Sequence, residues 1–377
     1  MSRQQPQVRF HDDPLLFMEQ SLPAGGDSLW LPGRQLCVAE PAAAKAVLVN
    51  GGGLYEEHAD FFQTAEGMLG PRAVQQEIGR EARSFLKAFL ASRAELLPET
   101  LRQSLSPTSE WPHAGNRLMY RHLADALVAP GSPESLRDIV GAVVERAVLA
   151  GVRERTSWWT RWRFRRRVRR ELVHAIRARR ERRGAAPSDL LDVVVRAADV
   201  HASEALLAEV FLSCVFAVTG SVGFALGWSL YLWGTHPRPD AEPSCVVREA
   251  LRLWPVAWML SVRPAKAHAV AGEDVTPGDT VVVCPYLVHR HPSHWQEPES
   301  FRPERWDGVR SPPAFIPFGW GSHTCPAALL SMELVEDVLR ILSRSYQWTV
   351  TAHGARPHFG PALAPPRFTL SVQPRPL

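Results

Sequence analysis

Apolar residues along the chain follow mostly a helical period, with strand-like alternation in a few short stretches. Recurrence every three to four positions predicts an amphipathic helix at residues 76–97 and further helices at 119–150, 160–183 and 203–235. A shorter helical pattern ends at Pro255, which cannot continue a helix. The pattern therefore predicts a mainly α protein.

Strand-like alternation predicts small accessory β-sheets. Two short strands flank the Pro32-Gly33-Arg34 turn, a β-meander follows Pro255, and a hairpin closes the chain between residues 348 and 376. A helix is predicted to begin immediately after Cys325 and to run to about Arg344. Because no internal repeat or linker interrupts these elements, we expect one domain over residues 1–377.

Composition favours a globular protein in a reducing compartment. Hydrophobic residues make up 45% of the 377 residues and charged residues 22%. The first thirty residues contain no apolar run typical of a signal peptide or membrane anchor, and glycines interrupt the longest apolar stretch, 210–233, which predicts a buried helix. The five cysteines show no paired spacing, so we expect a cytoplasmic protein without disulfides.

The basic residues are concentrated in one segment. Residues 152–184 contain 14 arginines and 3 glutamates, although the whole chain carries a formal charge of only +4. Val168, Leu172 and Ile176 give this segment an apolar seam, which predicts a packed helix with a solvated basic face. The alternative is a surface for a redox partner or another acidic protein. No motif that reads nucleic acid accompanies the arginines, so we expect no nucleic-acid partner.

Cys325 is the first candidate for chemistry. Pro326 suits the first position of a helix, which would place Cys325 where free amides and the helix dipole lower a thiol pKa. Gly319 and Gly321 allow a tight loop whose backbone can lie close to a flat ligand. These residues alone leave three interpretations of Cys325: a metal ligand, a nucleophile or a buried filler.

The surrounding run resembles a known cofactor loop. Phe318, Gly321, His323, Cys325 and Ala327 are similar to the F-x-x-G-x-R-x-C-x-G loop of the cytochrome P450 superfamily. The resemblance implies that the Cys325 thiolate is the proximal ligand to the iron of haem b and that the loop packs under the porphyrin.

Two further motifs stand in the order of that family. Glu249 and Arg252 match the family's E-x-x-R, and Arg305 lies in a segment, Phe301 to Trp306, that resembles its F-x-P-x-R-F. The resemblance implies a structural triad in which one carboxylate lies between two guanidiniums. Arg263 stands where the family often has an arginine that contacts a haem propionate. The fold that follows is a single-domain cytochrome P450 fold, a triangular prism of helices around a buried haem.

The distal helix departs from the family pattern. Its A-G-x-(D/E)-T motif falls on residues 217–221, which puts Gly220 at the acid position and Ser221 at the alcohol position. Ser221 or Thr219 then either positions a water that relays protons or bonds back to the helix carbonyls.

Positions that would anchor the propionates are also altered. His323 replaces an arginine and is a weaker cation. On the helix expected over the haem, Ala82 and Leu86 replace the usual aromatic donor and arginine, so Arg83 or Lys87 would have to compensate. We expect weaker haem binding. Ala327, which replaces a glycine, is a mild change.

The expected function is a haem-thiolate monooxygenase that oxidises a small or medium organic molecule, with electrons from a ferredoxin and its reductase. Protons would come from water near Ser221 or from the substrate, which is either free or bound to a carrier protein. The 40 arginines against 3 lysines indicate GC-rich coding. A GC-rich bacterial origin would fit a role in specialised metabolism, such as antibiotic biosynthesis. The alternatives are peroxide-dependent or redox-neutral haem chemistry, or a degenerate homologue that binds a partner without turnover.

Overall fold

The computed structural model describes residues 8–22, 26–56, 60–65, 67–148, 157–182, 184, 186–236, 240–309 and 312–375. The α-helices are α1 (Pro14–Ser21), α2 (Pro41–Val49), α3 (Arg72–Ser92), α4 (Leu97–Ser104), α5 (His113–Leu127), α6 (Glu134–Val143), α7 (Trp158–Arg180), α8 (Leu190–Ala197), α9 (Glu204–Val215), α10 (Val222–Thr235), α11 (Pro243–Leu253), α12 (Pro285–Val288) and α13 (Ala328–Ser345). These helices confirm the prediction of a mainly α protein.

The strands are short and form small sheets. They are β1 (Ser28–Leu31), β2 (Gln35–Val38), β3 (Gln63–Thr64), β4 (Gly67–Met68), β5 (Thr108–Trp111), β6 (Leu260–Val262), β7 (His268–Val270), β8 (Glu273–Val275), β9 (Thr280–Val283), β10 (Tyr346–Ala352) and β11 (Phe368–Pro374). A four-stranded sheet has the order β1-β2-β9-β6, and a three-stranded sheet has the order β10-β11-β5. The predicted N-terminal strands and the closing hairpin, β10 with β11, are confirmed.

The chain divides into two compact units that interleave in sequence. The small unit comprises residues 1–58, 252–302 and 308–324, and the large unit comprises residues 59–251, 303–307 and 325–377. In the small unit, the four-stranded sheet and α2 share a core that includes Leu36, Leu48 and Val283. In the large unit, α3 and α5 to α9 contribute to a core that includes Leu172 and Phe211.

Three predicted helix boundaries are wrong. The helix predicted at 76–97 is α3, which ends at Ser92. The pattern at 119–150 is two helices, α5 and α6, because the Pro130-Gly131-Ser132-Pro133 stretch between them breaks the helix. The C-terminal helix α13 begins at Ala328 and not directly after Cys325. Pro326 is therefore part of a turn, and Cys325 lies three residues before the helix.

The long apolar helix at 204–235 forms, but with an irregular middle. Helix α9 passes into one wide π-type turn, Phe216–Ser221, before α10 begins. By length and composition this helix is long and apolar enough to cross a membrane. Residues 222–233 are nevertheless buried on every side, as the predicted core helix requires.

Candidate functional site

The loop before Cys325 has a backbone that only glycine accommodates at two positions. Gly319 has φ +75°, and a Cβ there would lie 2.4 Å from the His323 carbonyl oxygen. Gly321 has φ +55°, and a Cβ there would lie 2.9 Å from the Val49 Cγ2 atom. The tight loop predicted from these glycines therefore forms.

The same loop is fastened to the end of helix α2. The Ser322 hydroxyl donates to the Leu48 carbonyl at 2.9 Å, and His323 Nδ1 lies 2.8 Å from the same oxygen. A carbonyl can only accept, so His323 Nδ1 carries the proton. The two side chains thus satisfy one of the carbonyls that a helix end leaves exposed. The predicted propionate contact of His323 stays a prediction.

The loop before Cys325 carries two aromatic residues, Phe318 and Trp320. The Lys45 ammonium lies 3.6 Å from the ring centroid of Trp320, a cation–π contact. Phe318 is half-buried, and Arg263, at the end of β6, is exposed. Their predicted roles as haem contacts are not tested by these positions.

The Cys325 thiol is half-buried and free. Burial raises its pKa above the ordinary value, and a hydrogen bond from the Ala327 backbone N–H opposes that rise. The predicted depression of the pKa by a helix start is therefore wrong for the chain alone. A bound metal ionises a thiol because only the thiolate is a good ligand.

Helix α3 passes directly beside the turn that carries Cys325. A Cβ on Gly79 would lie 3.1 Å from the Pro326 Cγ atom, so the close approach depends on that glycine. Leu86 is buried in the core of the large unit and offers no polar group at the position of the expected arginine. Arg83 and Lys87 are exposed on α3, and their compensating role remains a prediction.

The two candidate hydroxyls, those of Thr219 and Ser221, lie in the same wide turn but in different environments. Thr219 is buried, and its Oγ1 donates to the Val215 carbonyl at 2.7 Å, which is one of the two expectations for it. Ser221 is half-exposed, and among the described residues nothing bonds to its hydroxyl. Ser221 is therefore the better candidate to hold a water or a substrate group.

Asn116 supports this turn, and sequence reasoning missed it. It lies on α5 without any exposed surface, and its Nδ2 donates to the carbonyls of Thr219 at 3.1 Å and Gly220 at 2.9 Å. Gly223 permits the approach, because a Cβ there would lie 2.5 Å from Asn116 Nδ2. The sequence signal was a pair of glycines, Gly115 and Gly223, one of them next to an asparagine on an otherwise buried helix face.

The predicted triad is partly visible in the structure. Glu249 has no exposed surface and accepts from Arg305 Nε at 3.0 Å and from Trp306 Nε1 at 2.9 Å. Arg252 is also fully buried and donates to three carbonyls, those of His289, Pro298 and Ser300. The predicted pair of Glu249 with Arg305 is confirmed, and Trp306 is an unforeseen third member. The pairing of Arg252 with Glu249 stays a prediction.

The residues present fit a planar haem with one thiolate ligand. Phe216, Ala217 and Val218 are half-exposed in the middle of a helix whose flanking segments are buried, which leaves an apolar strip for a flat ligand to cover. The described residues include no group of three His, Cys, Asp or Glu side chains able to hold a metal ion. A metal bound mainly by a porphyrin needs only a single protein ligand, and Cys325 supplies one.

A separate cavity of about 420 Å³ opens in the large unit. It lies between the start of α3 and the turn before α9, and its lining includes Leu69, Val74, His201 and Leu206. The lining also includes residues 68–71, which lead into α3.

Comparison with known proteins finds similarity to one family over part of the chain. The family model described as Cytochrome P450 matches residues 244–368. Cyclooctat-9-en-7-ol 5-monooxygenase of Streptomyces melanosporofaciens is 31% identical over 211 residues, which cover 48% of this chain and 46% of that protein. Lithocholate 6-beta-hydroxylase of Mesocricetus auratus is 43% identical over 96 residues, which cover 24% and 19%. The chain thus spans less than half the length of these relatives.

Solved structures extend the likeness over most of the chain. A retinoic-acid-bound cytochrome P450 from a cyanobacterium superimposes with a TM-score of 0.74 at 17% identity, covering 92% of this chain and 91% of that one. A zebrafish cytochrome P450 bound to abiraterone gives a TM-score of 0.68 at 18% identity, covering 92% and 95%. At these identities the likeness establishes the fold.

Proposed function

We propose that the chain is a member of the cytochrome P450 superfamily and a haem-thiolate monooxygenase acting on a small or medium organic molecule. One observation carries the proposal: a free, half-buried cysteine follows a loop whose backbone only glycines allow at Gly319 and Gly321. The names of the matched relatives, a monooxygenase and a hydroxylase, support the reaction class.

Cys325 would hold the iron of haem b, and the loop that precedes it would lie against one face of the porphyrin. A thiolate-ligated haem supplies oxygen activation, because the thiolate pushes electron density that favours O–O cleavage. The half-exposed apolar residues Phe216–Val218 would exclude water from a flat ligand that lies against them. Arg83, Arg263 and His323 are the proposed propionate contacts.

Ser221 would hold the proton-relaying water, since Gly220 offers no carboxylate and the Thr219 hydroxyl is already bonded to Val215. We propose electron delivery by a ferredoxin and its reductase in the cytoplasm of a bacterium. Relatives from Streptomyces with names such as cyclooctatin synthase support a substrate from specialised metabolism, free or carrier-bound.

Spectroscopy of the purified protein tests the cofactor. We expect a red protein whose reduced carbon-monoxide complex has the strongly red-shifted Soret band of thiolate ligation. Cys325→Ser should abolish that band, while the matched control Cys245→Ser, at a buried cysteine next to Asp307, should keep it. A colourless protein that takes up no haem on reconstitution would overturn the proposal and leave a non-catalytic binding role.

Peroxide-dependent chemistry is the second candidate, and the glycine at the acid position favours it. The test compares product formation with hydrogen peroxide against a ferredoxin system supplied with dioxygen. Turnover confined to the ferredoxin system would exclude the peroxide route. Turnover with neither oxidant, by a protein that shows the thiolate band and a substrate-induced Soret shift, would indicate a redox-neutral reaction.

A further inference from the structure

The start of helix α7 exposes three large aromatic side chains. Trp158, Trp159 and Trp162 have exposed fractions of 58%, 62% and 42%. Their rings touch in sequence, with centroids 4.5 Å apart for the first pair and 6.0 Å apart for the second. We call these three residues the Trp cluster. Exposed apolar side chains are ordinary when scattered, but a contiguous patch marks an interaction site.

A belt of arginines follows the Trp cluster along the same helix. Seven exposed arginines precede the first acidic residue, Glu171; they are Arg161, Arg163, Arg165, Arg166, Arg167, Arg169 and Arg170. We call them the Arg belt. The guanidinium of Arg166 lies 5.4 Å from the centroid of the Trp162 ring, which joins the two features into one surface.

The second half of α7 shows what the fold itself requires of this helix. Arg179 binds Asp189 at 2.7 Å and Asp192 at 2.9 Å, and Arg180 binds Glu204 at 2.9 Å. The buried side chains of α7, such as Leu172 and Ile176, also come after the Trp cluster. The belt segment also packs on the core through Val168 and Phe164. The exposed tryptophans and arginines lie outside that packing and are not explained by it.

We propose that the Trp cluster and the Arg belt form a peripheral binding surface for an anionic lipid bilayer. Tryptophan favours the boundary between headgroups and acyl chains, and arginine binds phosphate with two parallel hydrogen bonds. The inference does not depend on the proposed reaction.

The order of residues along the helix favours a bilayer over an acidic protein. At 1.5 Å per residue, the Trp cluster occupies roughly the first 6 Å of α7 and most of the Arg belt roughly the next 12 Å. Aromatic rings at one end and cations behind them match the layers of a membrane surface. A protein interface instead tends to surround its aromatic anchors with a polar rim. The positive end of the helix dipole lies at the same end of α7 and adds attraction for anions.

Co-sedimentation of the full chain with vesicles tests this surface. We expect at least tenfold more protein bound to vesicles of 30% phosphatidylglycerol in phosphatidylcholine than to phosphatidylcholine alone, with binding that falls as salt rises from 50 to 300 mM. The triple variant Trp158→Ala, Trp159→Ala, Trp162→Ala should bind about tenfold less. The control Trp30→Ala, which removes an exposed tryptophan outside α7, should bind like the wild type.

A second triple variant, Arg163→Gln, Arg165→Gln, Arg167→Gln, should lose the preference for the anionic vesicles. Unchanged circular dichroism would show that each variant folds. Equal binding to both vesicle types, or full binding by the Trp triple variant, would overturn the proposal. Binding to polyglutamate or DNA without binding to anionic vesicles would also overturn it and point to a macromolecular polyanion.

Discussion

Two buried polar sites of the large unit are built in opposite ways. At Glu249 a full charge is buried and is bound by a guanidinium and an indole N–H. At the crossing of α5 with the wide turn, a neutral amide, Asn116, holds two backbone carbonyls, and its Oδ1 has no hydrogen-bond partner among the described residues. The first site matches the family pattern, and the second lies where the chain departs from it.

The contrast between a buried charge at Glu249 and a neutral amide at Asn116 indicates which of the two sites the fold depends on more strongly. A buried carboxylate is tolerated only with charged or strong donors around it, so Glu249, Arg305 and Trp306 depend on one another. A neutral amide can be replaced at lower cost, so we expect the distal turn to depend less strictly on Asn116. The first site relies on a charged group, while the turn that carries Ser221 is supported by a neutral amide.

The largest effect is expected from Glu249→Leu. Leaving the half-buried Arg305 guanidinium and the buried Trp306 N–H without the carboxylate that both bind should lower the free energy of unfolding by up to about 3–5 kcal/mol. Urea unfolding followed by circular dichroism measures this. Glu304→Leu, a few residues from the same contact, serves as control. Similar unfolding of Glu249→Leu and wild type would show that the cluster adds little to stability.

Gly223→Ala should have the next largest effect. The added Cβ would lie 2.5 Å from Asn116 Nδ2 and 2.9 Å from the Asn116 backbone, and such overpacking costs about 1–3 kcal/mol. Gly131→Ala is the matched control, because a Cβ there meets nothing within 4 Å. Thermal unfolding of the two variants should differ clearly. Equal melting temperatures would mean that the two helices separate without cost.

Asn116→Leu should lower the free energy of unfolding by less than Gly223→Ala does at its upper limit, but it should also alter the proposed site through the turn that carries Ser221. Removing the amide leaves the Thr219 and Gly220 carbonyls without this donor, which costs about 1–3 kcal/mol. If Asn116 positions the turn, the variant should also change the substrate-induced Soret shift and the ratio of product to electrons consumed. Asn116→Gln, which keeps the amide, should restore part of both. A purely structural role would move the melting temperature alone.

The smallest effects on stability are expected from substitutions at Ser221 and Thr219, and they distinguish the roles of the two hydroxyls. Ser221→Ala should leave unfolding nearly unchanged while lowering product formed per electron by about tenfold, because a positioned proton donor contributes at least that much. Thr219→Val should do the reverse, with a loss near 1 kcal/mol from its bond to Val215 and little change in coupling. The reverse pattern would transfer the relay to Thr219.

The sequence predicted the features that are encoded locally. Cys325 and its glycines are neighbours in the chain, and the helices follow from periodicity that the core enforces. The sequence also encodes the break between α5 and α6 in residues 130–133. The helical pattern of apolar residues on both sides led to the prediction of one continuous helix. The start of α13 was misplaced because the Cys325 carbonyl accepts from the Ala328 N–H and keeps Pro326 in a turn.

The support for the wide turn could not be predicted from the sequence. Asn116 and Gly220 are 104 residues apart, and only the crossing of two helices brings the amide to those carbonyls. The rise in the Cys325 pKa has a similar origin, since burial is a property of the packed chain and outweighs the local amide. Motifs therefore located the chemistry, while tertiary packing set its environment.

The fastening of the cofactor loop to α2 has a consequence for measuring cofactor loading. Ser322 and His323 share the Leu48 carbonyl, so order in the loop and order in the last turn of α2 are coupled. Amide hydrogens of that turn, such as the Asn50 N–H that bonds to Ala46, would then exchange with deuterium more slowly once the loop is held. Mass spectrometry of a peptide distant in sequence from Cys325 could thus follow assembly of the site.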